Sequence, residues 1–310
     1  MFPIMMNSNK NSLKAVGYAV LLLISCQSVL AAPPKVLATI KPLQLISQAI
    51  TEGVIDTDVL LPPGASPHNH SLRPSDARNL HSADVIFWVG PTMESFLSRA
   101  LPKSDKVHTL AMMDIKGIKL RKNGSKESEV HNPDPDPDHG EFDPHLWLST
   151  ENGRTMAKAM AETLIKVDKP NTQQYQDNLV VFLNTLDEAD ARNRELLSGV
   201  LEIPFFVFHD GYGYLQDQYH LNVAGHFTLN PEQQPGARHL SNLRTKLKEA
   251  GKTCIFREPQ FQPAYIDRIT EGLPVKVGVL DPMAEDIDAK SGGYARFINS
   301  LVDNIKDCMF

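Results

Sequence analysis

Short runs of consecutive apolar residues alternate along this chain with stretches whose apolar positions recur at three- and four-residue steps. Val36–Ile40, Val59–Leu61, Val85–Val89 and Val107–Leu110 have the length and composition of buried strands. Helical patterns over Leu43–Thr51, Pro74–His81 and Thr92–Ala100 lie between them. Such alternation predicts a parallel sheet with helices on both faces. A different rhythm starts at Asn171, read as a helix cap. Beyond it Tyr175, Leu179, Phe182, Leu183, Leu186 and Leu196 fall at helical steps, ending at Gly199. At 1.5 Å per residue this is one helix of roughly 40 Å. Strands then resume at Phe205–Phe208, Leu221–Ala224, Thr253–Phe256 and Val275–Leu280, with helices near Gly236–Ala250, Ala264–Glu271 and Tyr294–Asp307. The expected fold is α/β, with two (β/α) lobes of parallel-type sheets joined by one long rigid helix. The expected boundaries are 32–169 for the N-terminal lobe, 170–199 for the linking helix and 200–310 for the C-terminal lobe.

Two segments break this pattern. Residues 122–144, KNGSKESEVHNPDPDPDHGEFDP, are polar, acidic and rich in proline. They hold too little apolar surface to order themselves and are expected to form a mobile loop. Residues 1–31 combine Lys10 and Lys14, an apolar stretch AVGYAVLLLIS, and small residues before a cut after Ala31. This is the pattern of a secretory signal peptide, too short in its apolar part to span a bilayer comfortably. A competing reading is lipidation at Cys26, since Leu23-Ile24-Ser25-Cys26 also fits a bacterial lipobox.

Export changes what composition implies. Cleavage removes two lysines and takes the net charge from −6 to −8. An acidic mature chain argues against a nucleic-acid partner and favours cations. The mature protein keeps Cys254 and Cys308. In an oxidising compartment they form a disulfide; the alternative is two buried free thiols.

Candidate chemistry centres on three histidines in separate turn-rich segments: His68 in GASPHNHSLRPSD, His145 in DPHLWLST and His209 in FFVFHDGYGY. Neutral imidazole is the commonest protein ligand for zinc, and three such groups with a carboxylate or water fill a tetrahedral shell. Ligands of parallel sheets bind beyond the carboxyl ends of the strands. His209 follows FFVF, His68 follows VLLPPGASP, and Asp281 follows VKVGVL, so Asp281 is the candidate fourth ligand. His70 alternates with His68, so one of the two is expected to face metal and the other solvent. His81, His108, His220, His226 and His239 read as structural or surface groups. His131 and His139 read equally as weak metal binders or as parts of a solvated linker. Gly251-Lys252-Thr253 imitates the end of a phosphate loop without its first glycine or following helix. Neither a G-x-S-x-G elbow nor an H-E-x-x-H helix occurs, and nothing in the sequence requires catalysis.

From about Val36 to the C-terminus the chain resembles the periplasmic zinc-binding components of high-affinity bacterial zinc ABC importers (the ZnuA type), within the larger family of zinc- and manganese-binding solute receptors. The resemblance is carried by GASPHNHSLRPSDARNL, FWVGPTMESF, HLWLS, FVFHDGYGY, GHFTLNPEQQPGARHL, CIFREPQFQPA and LDPMAED. It implies two lobes bridged by a rigid helix, with Zn²⁺ held between them as transported cargo. It also implies His68, His145 and His209 as ligands and Cys254–Cys308 as a disulfide. The implied partners are a membrane permease and its cytoplasmic ATPase, with the receptor itself expected to be a periplasmic monomer. Some zinc receptors of this type have a glutamate immediately before the first histidine. Here that residue is Pro67, so Asp281 or a water is expected to close the shell. Histidine at the third position, as at His209, suits zinc better than the carboxylate expected of manganese receptors. The rival readings are a manganese or iron receptor, a zinc hydrolase with Glu258 as general base, and a lipid-anchored surface adhesin.

Overall fold

A computed structural model describes Met1 and residues 32–123, 140–261 and 264–310. The proposed signal segment, Cys26, His131, His139 and most of the acidic loop lie outside the described residues. Among those described, no helix is long and apolar enough to cross a membrane.

The first sheet contains β1 (Val36–Ala38), β2 (Thr57–Val59), β3 (Val85–Trp88) and β4 (His108–Ala111). Its order is β2-β1-β3-β4, with every pairing parallel. The second contains β5 (Phe205–His209), β6 (Val223–Thr228), β7 (Thr253–Arg257) and β8 (Val275–Val279). Its order is β6-β5-β7-β8, again all parallel. Helices α1 (Lys41–Thr51), α2 (Pro74–Ser82) and α3 (Thr150–Val167) belong to the first half of the chain. After α4 (Thr172–Leu197), the second half adds α5 (Gly213–Tyr219), α6 (Ala237–Ala250), α7 (Tyr265–Thr270) and α8 (Gly293–Met309). The α/β reading of the sequence therefore holds.

α4 is the expected long helix, one unbroken element of 26 residues, about 39 Å at the standard rise. Its buried residues Tyr175, Phe182, Leu186, Ala189 and Leu197 form one face. It packs on α1 and α3 of the first half and on α8 and α5 of the second. α1 also touches α8 directly, and one apolar core runs from Val36 through Tyr175 to Ile305. Pro33–Phe310 accordingly form one compact unit. Cys254 of β7 and Cys308 of α8 are joined by a disulfide 54 positions apart in sequence. Closing a loop of that length removes unfolded-chain entropy, stabilising the fold by about 4 kcal/mol.

Several local expectations change. Asn171 precedes α4 but makes no side-chain cap; its amide nitrogen donates to Asp168 Oδ2. Thr92–Ala100 is not an α-helix and keeps only a 3-10 turn over Ser95–Leu97. Its physical cause is Glu94, whose fully buried carboxylate turns back to accept Val89 N–H at 2.7 Å and Gly90 N–H at 3.4 Å. α3 and α5 have no counterpart in the hydrophobic pattern. α3 buries small and flexible side chains, Ala157, Met160 and Ala161, and starts at Ser149, whose hydroxyl accepts Asn152 N–H.

Candidate metal centre

Each of the three histidines occupies a different kind of position. His209 is the last residue of β5. His145 precedes a 3-10 turn, Leu146–Leu148, whose side chains are all buried. His68 lies in the segment between β2 and α2, with its N–H on Ser66 Oγ at 3.2 Å. The fold brings the three together. His209 Nε2 is 3.1 Å from His145 Nε2, which is 3.3 Å from His68 Nε2. Among the described residues these three form the one group whose ligand atoms all lie within 4.8 Å of one another. His145 and His209 are 4 % and 2 % exposed, while His68 is partly exposed, so the cluster opens on the His68 side. A small cleft lined by the three histidines is also walled by Pro67, Trp147, Phe261, Pro282 and Met283, with Gln260 as a polar group.

Two carboxylates stand behind this cluster. Asp143 Oδ1 lies 2.8 Å from His145 Nδ1 and also accepts His145 N–H. Glu258 Oε1 lies 2.5 Å from His209 Nδ1 and accepts the Tyr212 hydroxyl. An Nδ1–H donated to a carboxylate leaves the Nε2 lone pair directed into the cluster and makes the ring a better metal donor. Burial alone disfavours the charged ring of His209, but Glu258, then Asp210 and Asp143, raise its pKa above the ordinary value. Burial lifts Asp143 to about 6, against the opposing pull of the His145 N–H, Arg121 and His209. Arg121 lies 3.6 Å from the outer oxygen of Asp143. Neither carboxylate was identified in this role from sequence, where Glu258 figured only as a possible base. The available signals were the D-P-H spacing and a glutamate directly following a strand.

Strand order explains the His209–Glu258 pair. β6 lies on one side of β5 and β7 on the other, so the gap beyond β5 and β7 is where the order reverses. The glycine of the HDG turn is also required. A Cβ at Gly211 would overlap His209 Nε2 and stand 2.8 Å from its Cε1.

Asp281 is not in the cluster. Its Oδ1 accepts Gln260 Nε2 at 2.8 Å and Met283 N–H at 2.9 Å, and its Oδ2 accepts Glu285 N–H at 2.6 Å. His70 turns away from His68 as alternation predicts, yet it does not point to solvent. It lies 3.3 Å from Asp76 Oδ2, its ring edge against Phe96. His226 and His239 stack on one another, outside the three-histidine group.

The profile of a family described as "Zinc-uptake complex component A periplasmic", ZnuA, matches residues 36–308. A Yersinia pestis protein named "High-affinity zinc uptake system protein ZnuA" is 36% identical over 288 residues, covering 88% of this chain and 91% of its own length. Among solved structures, one described as the crystal structure of ZnuA superposes with a TM-score of 0.74 at 23% identity, covering 89% of this chain and 99% of its own. The periplasmic zinc-binding protein TroA of Treponema pallidum gives the same TM-score, 0.74, at 20% identity over 89% of this chain and 99% of its own.

Proposed function

Because the chain belongs to the ZnuA family of periplasmic zinc-uptake components, we propose that it captures Zn²⁺ on His68, His145 and His209 and delivers it to the permease of an ABC importer. The observation that carries this reading is the three-imidazole cluster, two of whose members are oriented by buried carboxylates. Three neutral nitrogen donors suit borderline zinc better than manganese, which favours oxygen ligands. The fourth position is a water on the open side of the cluster, with Asp281 holding Gln260 and Met283 of the cleft wall. Residues 1–31 direct export and are removed after Ala31, and the lobes divide at 32–169 and 200–310 around the linking helix. A cytoplasmic ATPase on another chain drives the transfer.

The arrangement serves binding rather than turnover. Zn²⁺ exchanges waters for imidazoles that must be deprotonated, so affinity falls as pH drops, beginning above the histidine reference near 6.5 because the pKa of His209 is raised. Glu258 meets the His209 nitrogen that faces away from the cluster, which favours an orienting role over that of a general base. Lobe swing contributes little, because α4 is continuous and α1 packs on α8.

Elemental analysis of protein purified from the periplasm, followed by competition titration, tests the reading. The expected result is one zinc per chain, lost in His145→Ala and His209→Ala. Preferential retention of manganese or iron, or turnover on ester or phosphate substrates abolished by Glu258→Gln, would overturn it.

A further inference from the structure

The three ligands are not held equally. β5 carries His209 within the second sheet. The turn bearing His145 is also tied to second-half residues, through Trp147 Nε1–H to Pro282 O at 2.8 Å and the Tyr294 hydroxyl to Trp147 O at 2.8 Å. His68 is the partly exposed member, and its segment begins at an exposed turn around Gly64, whose φ of +78° suits glycine. A hydrogen-bond relay from the second half of the chain meets this turn. Gly64 N–H donates to Glu285 Oε1 at 2.8 Å across 221 positions of sequence. Gln260 Nε2 donates to the same oxygen at 2.7 Å and to Asp281 Oδ1 at 2.8 Å. Gln260 lies two residues beyond Glu258, the partner of His209. One relay therefore joins the segment of His68 to the segments after β7 and β8.

We propose that Glu285, supported by Gln260, is a positioning residue that latches the His68 segment over the metal and sets how slowly zinc leaves. This rests on the zinc-receptor reading above. Zinc departs when one ligand gives way, and His68 is the ligand on an exposed segment. While Glu285 holds Gly64, the His68 imidazole stays within reach and rebinds. With the latch open, the ion is left on two histidines and is lost to water or to a partner's donors. The bond is charge-assisted and lies where solvent reaches it, so it opens without disturbing the buried core.

A chelator-challenge stopped-flow experiment on zinc-loaded full-length mature protein tests this. Glu285→Ala is expected to release zinc about tenfold faster, the loss of one hydrogen bond to a charged group. Its association rate should match wild type, and the metal-free protein should stay folded, with unchanged far-UV circular dichroism. Gln260→Leu should also release faster. Glu285→Gln retains a carbonyl oxygen for Gly64 and Gln260 and should recover most of the slow release, which a general loss of charge would not. Release from Glu285→Ala at the wild-type rate, or from Glu285→Gln as fast as from Glu285→Ala, overturns the latch. Wild-type protein that binds no zinc would instead defeat the receptor reading.

Discussion

His209 Nδ1 and Glu258 Oε1 meet at 2.5 Å, both side chains buried, at the reversal of strand order in the second sheet. The pair fixes the imidazole tautomer before any metal arrives. Glu258→Ala removes that control and is expected to weaken zinc binding by about 10–100-fold. Glu258→Gln, which can still accept from Nδ1–H, should lose less. Competition titration with a chromophoric chelator reads the difference, and equal affinities in all three proteins would refute the orienting role.

Gly211 leaves room for the metal-facing nitrogen of His209. Gly211→Ala is expected to lose most zinc affinity while keeping its far-UV circular dichroism. Wild-type affinity in a folded Gly211→Ala protein would show that the ring has room to spare.

Asp281 already accepts three hydrogen bonds, from Gln260, Met283 and Glu285. Asp281→Ala should therefore lower zinc affinity by less than about tenfold, the smaller cost of disturbing a support rather than removing a ligand. Calorimetry is the direct check, and a loss of several hundredfold would restore Asp281 as the fourth ligand.

Glu94, outside the three-histidine group, gives a pH signature of its own. Burial raises its carboxyl from 4.5 to about 7, outweighing the hydrogen bonds from Thr39, Val89 and Gly90. The folded state thus binds this proton more tightly than the unfolded state. Its contribution to stability is most favourable below pH 4.5, falls as pH rises towards 7 and is then constant. Two and a half pKa units correspond to about 3 kcal/mol. Metal-free Glu94→Gln should gain stability relative to wild type as pH rises from about 5 to 8. Chemical denaturation across that range measures it, and a constant difference between the two proteins would exclude the effect.

The hydrophobic pattern reads well where apolar residues are large and consecutive. β1, β3, β5 and β7 lie within two residues of their expected bounds, and α4 runs as one helix. It fails where packing uses alanine and methionine, as in α3, or where one buried side chain redirects the backbone, as Glu94 does. The histidines were legible because each stands beside a strand-like run or a sharp turn. Asp143 and Glu258 were not legible as supports, since their role depends on which strand ends become neighbours. The same limit applies to Glu285, whose partner Gly64 is in the opposite half of the chain.

The apolar core that passes from β1 through α4 to α8 has a consequence for the lifetime of the receptor. Because that core is shared by both halves of the chain, metal bound at a single point stabilises the packing of both. Each tenfold excess of free zinc above Kd adds about 1.4 kcal/mol to global unfolding. On the zinc-receptor reading, a protease that acts on the opened chain should then cleave the metal-free protein faster than the zinc-loaded one.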